Sequence, residues 1–357
     1  MTSAWTRDAV RRIDLATAAR IPPAESLTPV TGGEGILYWD MWPVQSADGR
    51  IARIGAREWW MALAAPDEGD PALRHFTAKI RWLERADGQW IDHGPVLPAA
   101  AVPYQREWAG SALYDAERKR ITLYFTGAGL AERPGGYQQD LFEASAPVAP
   151  DGDIGPWSQP APSLAALTSH YMPADAHEGK AGKIKALRDP AYFRDPADGG
   201  EYLVFTASLA SARSEYNGAV GLARRGEAGW ELLPPPVSAD RVNNELERAH
   251  AVFHQGRYYL FWSTQSSTFV PELRHAPNGL YGMVSDRLSG PYRPLNGSGL
   301  VLANPPAAPA QTYSWFVSAE LLVSSFVDVL GAGTFGGIPA PLLRLAIDGE
   351  RCRLADL

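Results

Sequence analysis

The sequence predicts an all-β fold. Short runs rich in β-branched and aromatic residues recur along its 357 positions, and clusters of Gly, Pro and Asp separate them. Helical apolar periodicity is scarce. The composition agrees, because 34 Gly and 30 Pro supply turns while 12 Trp and 14 Tyr suit a pleated, half-buried surface. Many short strands punctuated in this way mark a sandwich, a barrel or a propeller.

The runs are, in chain order, EWWMALAAP (58–66), KIRWLER (79–85), RITLYFTG (120–127), EYLVFTAS (201–208), RYYLFWST (257–264), GLYGMVSD (279–286) and LLVSSFVDVL (321–330). Residues 128–185 are less regular and read as long loops carrying a helical turn or two. No linker divides the chain, so one domain is expected over residues 26–357. The polar segment 1–25 reads as a short helix packed on it and ending ahead of Pro22-Pro23.

Three of the runs belong to a repeated layout. EWAGSALYDAERKRITLYF from Glu107, RDPAYFRDPADGGEYLVF from Arg188 and ERAHAVFHQGRYYLFW from Glu247 each open on polar residues and enter a short apolar strand. Each then turns and returns as a Tyr/Phe-rich strand. The segment around Asp40, with its turn at Asp48-Gly49, is a looser copy. A repeated hairpin unit favours a propeller, whose blades each contribute a first strand to a central channel. The polar positions that open the units, Asp40, Trp108, Asp189 and Glu247, are then expected to converge.

Charge and cysteine content exclude several functions. Lys and Arg total 33 against 40 Asp and Glu, a net charge of −7, with no basic stripe, so nucleic acid and anionic membrane are not expected partners. No apolar run reaches the length of a membrane span, and the first 25 residues lack the apolar core of a signal peptide. Cys352 is the only cysteine, which excludes an intrachain disulfide and a multi-cysteine zinc site.

The stretch YWDMWPVQSADG (38–49) sets one carboxylate, Asp40, among Tyr38, Trp39 and Trp42. Burying an unpaired carboxylate is costly, so Asp40 is either paired with an arginine or kept for chemistry. Acids in aromatic and arginine-rich surroundings suit glycoside cleavage, which needs a carboxylate nucleophile and a carboxylic acid to protonate the leaving oxygen. Sugar rings also stack on Trp and Tyr faces, a use that accounts for the aromatic excess.

Six motifs in order carry a specific resemblance: YWDMWPVQ (38–45), EWAGSA (107–112), LRDP (187–190), NELERAHAVFHQGRYYLF (244–261), YGMVSDRLSGPYRPLNGSGLVLANPP (281–306) and QTYSWFV (311–317). From about residue 30 to 330 the chain resembles glycoside hydrolase family 68, the levansucrases, inulosucrases and bacterial β-fructofuranosidases. The resemblance implies a single-domain five-bladed β-propeller with a funnel-shaped site. It also implies that sucrose is split through a covalent fructosyl-enzyme, with transfer to water, sucrose, other sugars or a growing fructan.

The resemblance implies these roles residue by residue. Asp40 is the nucleophile, between Trp39 and Trp108 as pocket walls. Asp189 stabilises the oxocarbenium-like transition state, and Arg188 holds substrate. Glu247 is the general acid/base, its proton held by neighbouring carboxylates. Glu245 binds the glucosyl unit with Arg248 nearby, and Tyr313 positions nucleophile or substrate, unless it is a core tyrosine. A retaining mechanism places Asp40 and Glu247 about 5–5.5 Å apart. The second RDP, at 194–196, lies in the turn signature RDPADGG, so Asp195 is left in a turn.

The chain departs from the family pattern in three places. Asn244 stands where many members have the Asp that, in Gram-positive members, helps hold a structural calcium. Together with the lack of another acidic oxygen cluster it argues against calcium, and no cofactor is expected. Ala109 replaces the serine of Trp-Ser-Gly-Ser. Gln265, in STQSSTF, replaces a frequent Arg or His near the acceptor sugar, which favours hydrolysis and short oligosaccharides over long levan. Some Gram-negative members are exported without a classical signal peptide, so an extracellular location is expected, with a cytoplasmic one as the alternative. The rivals are a neighbouring propeller family acting on arabinans or plant fructans and a non-catalytic sugar-binding propeller.

Overall fold

The computed structural model describes residues 2–24, 27–99, 101–132, 135–164, 169–174, 184–212, 214–331 and 333–355. Five inner strands carry the architecture: β1 (Ile36–Gln45), β2 (Arg106–Asp115), β3 (Leu187–Arg194), β4 (Glu247–His254) and β5 (Thr312–Val317). Each pairs antiparallel with the next long strand: Arg57–Pro66, Arg120–Ala128, Glu201–Ser208, Arg257–Thr264 and Leu322–Leu330 respectively. Further strands extend every sheet outward, giving blades I to V.

The blades close into a ring. β1 packs on β2, β2 on β3, β3 on β4, β4 on β5, and β5 back on β1. This is the five-bladed propeller that the hairpin repeat and the resemblance predicted. All seven strand runs read from sequence are strands, within a residue or two at their ends. The irregular region 128–185 carries strands Gln139–Pro147 and Ala161–Pro162; its other described residues form turns and loops with no helix among them, and residues 133–134, 165–168 and 175–183 of the expected loop and helical turns lie outside those described.

The N-terminal segment is tied to the ring. Ser3–Ala4 pairs in parallel with Gly229–Ser238 of blade III, and the buried Trp5 donates to the Ser298 carbonyl at 2.9 Å. Helix α1 spans only Arg7–Arg11, capped by Thr6. It ends well before Pro22-Pro23, and Asp14 then turns the chain by accepting from the Ala16 amide.

Most tryptophans face the core. Trp5, Trp42, Trp60, Trp262 and Trp315 are fully buried, packed between blades. The aromatic excess attributed to sugar stacking is therefore chiefly a packing device. Wedge-shaped gaps between twisted sheets are filled by large flat side chains at low rotamer cost.

One irregularity repeats in all five inner strands. The register with the neighbouring strand slips between Trp39 and Met41, Trp108 and Gly110, Arg188 and Ala191, Glu247 and His250, and Tyr313 and Phe316. Each slip is a β-bulge. At four of them a non-glycine residue takes a left-handed conformation: Asp40 (φ 43°), Asp189 (φ 60°), Arg248 (φ 52°) and Ser314 (φ 58°). Such conformations cost about 1–3 kcal/mol each and persist only where the surroundings hold them. Side-chain hydroxyls from the second strand of the preceding blade supply part of that hold. Thr126 Oγ1 accepts from the Asp189 amide and Thr206 Oγ1 from the Arg248 amide, both at 2.8 Å, and Ser263 Oγ accepts from the Trp315 amide at 2.9 Å.

Candidate active site

Side chains of a regular strand alternate between faces, so two neighbours cannot both point at the axis. A bulge removes that restriction. Trp39 and Asp40 both line a cavity of about 350 Å³ at the centre of the ring, as do Arg188 and Asp189. Trp108 and Glu247 line it from β2 and β4, Glu245 from the loop before β4, and Gln265 from just after the strand Arg257–Thr264.

The expected convergence of Asp40, Trp108, Asp189 and Glu247 is thus found, but their equivalence needs correcting. The slips align Trp39, Trp108, Arg188, Glu247 and Tyr313 as one ring, and Asp40, Ala109, Asp189, Arg248 and Ser314 as a second. The two rings cannot be told apart in the sequence, which carries no mark of the bulges.

The ionic side of the cavity is tightly cross-linked. Arg188 Nη2 donates to Glu245 Oε2 at 3.1 Å and lies 3.5 Å from Glu247 Oε1, while Nε is 3.3 Å from Asp189 Oδ2. Burial alone would lower the Arg188 pKa, but the three carboxylates outweigh it and raise it. Arg188 Nη1 is buried and, among the described residues, has no hydrogen-bond partner, which makes it a donor available to a sugar hydroxyl. The Tyr313 hydroxyl donates to Glu247 Oε2 at 2.5 Å. Thr206 donates to Asp189 Oδ2 at 2.9 Å.

Burial raises the pKa of Asp40. Arg248 opposes the rise, the nearby Glu247 adds to it, and a hydrogen bond from Ser314 opposes it. Arg248 lies beneath the cavity, its Nη1 bonded to the Met41 carbonyl at 3.1 Å and to Ser314 Oγ at 3.0 Å. His250 holds this corner from behind. Its Nδ1 faces the Arg248 carbonyl at 2.8 Å and Nε2 accepts from the Val317 amide at 2.9 Å, with the pKa pushed down to about 3 by burial. Asp189 and Glu245 are likewise raised by burial, with Arg188 as the main opposing influence.

The other side is aromatic. Trp39, Trp108, His75, Phe76 and Tyr137 line it. The Arg106 guanidinium lies 5.3 Å from the ring centres of Phe76 and Trp108 and 5.5 Å from that of Tyr137. Phe76, 43% exposed, sits at the mouth. His75 and Phe76 belong to the short helix α2 (Arg74–Thr77), which no motif marked. The preceding Arg74 stacks on Trp39, 5.5 Å from the ring centre, and its charge reaches Asp40 and Asp328. Asp328, on blade V, is pushed up to about 6 by burial, against the pull of Arg74.

Asp195 is in the turn after β3, where it accepts from Ala197 and from the Tyr258 hydroxyl at 2.6 Å, and it does not line the cavity. Glu245 precedes β4 instead of lying on it, yet faces the cavity through its pair with Arg188. A larger concavity, about 1020 Å³, lies between the N-terminal segment and blades IV and V, but no comparable cluster of buried carboxylates lines it.

A ring of five blades with two carboxylate-bearing bulges, an acid–arginine lattice and an aromatic wall defines a glycoside-processing propeller. A model of the levansucrase/invertase family matches residues 1–228 and 214–356. The chain is 31% identical to a levansucrase of Rahnella aquatilis, over 97% of this chain and 92% of that protein. It is 28% identical to an extracellular sucrase of Zymomonas mobilis, over 98% and 92% respectively. The inulosucrase of Halalkalicoccus jeotgali, solved bound to kestose, superposes with a TM-score of 0.88 at 36% identity, over 99% of this chain and 95% of that one. The chain belongs to the levansucrase/invertase family, glycoside hydrolase family 68, and is an enzyme of the fructosyl-transferring glycoside hydrolase class.

Proposed function

We propose that this enzyme splits sucrose with retention of configuration and passes the fructosyl unit to water and short acceptors, giving fructooligosaccharides. The observation that carries the reading is the meeting of Asp40, Asp189 and Glu247, drawn from three blades, in one sugar-sized cavity beside Trp39 and Trp108. Asp40 attacks the anomeric carbon of the fructosyl unit as the bond to the glucosyl oxygen breaks. Glu247 gives that oxygen its proton. Asp189 holds ring hydroxyls and strengthens its hold as positive charge develops. Water or a sugar hydroxyl then attacks the ester, Glu247 takes the proton, and Asp40 leaves.

The surroundings support these roles. Asp40 must act as an anion, and Arg248 and Ser314 oppose the rise that burial imposes. Arg188 and Glu245 can bracket the glucosyl unit, with Arg188 Nη1 the available donor. Gln265 presents an uncharged amide to the acceptor, the feature that favours water and short sugars over a long chain. Asp40 keeps a hydroxyl partner in Ser314, although Ala109 offers none. An extracellular location is proposed from the likeness to the extracellular sucrase of Zymomonas mobilis. No described helix is long and apolar enough to cross a membrane.

The test is a time course with sucrose in which glucose, fructose, kestose-type oligomers and polymer are resolved. Glucose exceeding fructose, with short oligomers making up the difference, is the expected result. Abundant polymer would overturn the product assignment, and absence of glucose release would overturn the activity.

A further inference from the structure

Two residues before β3, the Lys185 ammonium enters a nest of oxygens. Its Nζ donates to the Glu215 carbonyl at 2.6 Å, to Asn217 Oδ1 at 2.8 Å and to Asn244 Oδ1 at 3.1 Å. Asn217 and Asn244 are 1% and 0% exposed. Carbonyl and amide oxygens converging from separate segments are the donors a hard cation takes. Here a tethered cation takes them. A divalent ion among the same oxygens would sit against the Lys185 charge, and among the described residues no group of three or more His, Cys, Asp or Glu side chains is placed to hold a metal. The site therefore does not fit the calcium that some relatives hold beside this position.

The identity of residue 244 agrees with this. With its oxygen turned to Lys185, the Asn244 amide must point its nitrogen the other way. There Nδ2 donates to Glu245 Oε1 at 3.2 Å and to the Ile184 carbonyl at 3.3 Å. Glu245 in turn bonds Arg188, which touches Asp189 and Glu247. An aspartate at 244 would have no hydrogen to give Glu245, and two adjacent buried carboxylates would repel unless a doubly charged ion lay between them. An amide beside a single ammonium meets the same demand with one charge.

We propose that Lys185 is the built-in structural cation of this enzyme, standing in place of a metal ion, and that it positions Arg188 through Asn244 and Glu245. The loop ahead of β3, the turn before Gly218–Gly226 and the approach to β4 are pinned by one side chain. Arg188 is thereby oriented without touching Lys185. Lys185 is a positioning residue.

Thermal unfolding and sucrose kinetics test this together, the first independently of which sugar is used and the second resting on the proposed activity. In the wild type, an excess of EDTA and then millimolar calcium are expected to leave Tm unchanged. A Tm that falls on chelation and recovers with calcium overturns the metal-free site. Lys185→Met keeps the stem and removes the charge. It is expected to lower Tm and to raise KM for sucrose at least about fivefold, because Arg188 loses its orientation. Unchanged Tm and KM overturn the positioning role. Lys185→Arg restores the charge and is expected to recover most of both, and a loss as large as that of Lys185→Met overturns the role of the charge even where the Met variant fails to fold. In Lys185→Ser with Asn244→Asp, calcium is expected to raise Tm, and no response to calcium counts against the site as a cation nest.

Discussion

Blades III, IV and V face the cavity with Arg188, Asp189, Glu245 and Glu247, backed by Tyr313, whereas blades I and II and helix α2 face it with Trp39, Trp108, His75, Phe76 and Tyr137. In the first region nearly every polar atom is committed to a neighbour, and the chain is bent into left-handed bulges to place it. In the second the rings touch one another edge-on and stack with Arg106, and Phe76 is open to solvent. Charge in a low-dielectric cavity acts over several ångströms and depends steeply on geometry, so the ionic side is over-determined. Stacking is short-ranged and tolerant, so the aromatic side combines the inner strands of blades I and II with one short helix and the loop that carries Tyr137. Asp40 belongs to an aromatic blade by sequence and to the ionic side by electrostatics. The contrast predicts all-or-none losses on one side and graded losses on the other.

Asp40→Asn gives the largest effect. On the proposed assignment the shape is kept and the nucleophile is lost, so kcat for sucrose is expected to fall on the order of 10⁴-fold or more, the scale seen when a nucleophile is removed. Turnover near wild type would remove Asp40 from its role. Glu247→Gln follows, with an expected fall of about 10²–10⁴ for loss of proton transfer. An aryl β-fructofuranoside whose phenol departs without protonation should show a much smaller defect in fructosyl-enzyme formation, and an equal defect for both substrates would deny Glu247 the acid role.

Ser314→Ala is expected to cost about tenfold in kcat/KM near neutral pH, the worth of a hydrogen bond to a charged group. The sign of its pH dependence is set. Asp40 is already raised by burial, and the Ser314 hydroxyl favours the ionised form. Removing it raises the pKa further, so the acid limb of kcat/KM moves to higher pH. A limb that stays put would mean another group titrates there. Phe76→Ala, on the tolerant side, gives the smallest change. An aromatic contact of about 0.5–1.5 kcal/mol corresponds to about a 2- to 10-fold rise in KM. The share of oligosaccharide among the products should fall with it, whereas a loss as large as that of Glu247→Gln would erase the contrast between the two sides.

Much of this was legible in one dimension. The strand runs, the hairpin repeat and the acids of the cavity could be read because each rests on local pattern or on a short motif with its neighbours in order. Asp195 could be separated from Asp189 because Asp-Pro-Ala-Asp-Gly-Gly dictates a turn whatever surrounds it. Arg74, His75 and Phe76 escaped because nothing in PALRHFTAK marks a four-residue helix as an active-site wall. Lys185 escaped because the Glu215, Asn217 and Asn244 oxygens it meets lie 30, 32 and 59 positions away.

By itself, then, the chain determined which residue types stand next to each other: Trp39-Asp40, Arg188-Asp189, Glu247-Arg248, Tyr313-Ser314. Only the tertiary structure decided that both members of a pair could face inward, since strand alternation forbids it and a bulge must undo it. No bulge is written in those dipeptides. Each is held in part by atoms outside its own strand, the Thr126, Thr206 and Ser263 hydroxyls among them, and those atoms arrive only when the ring closes.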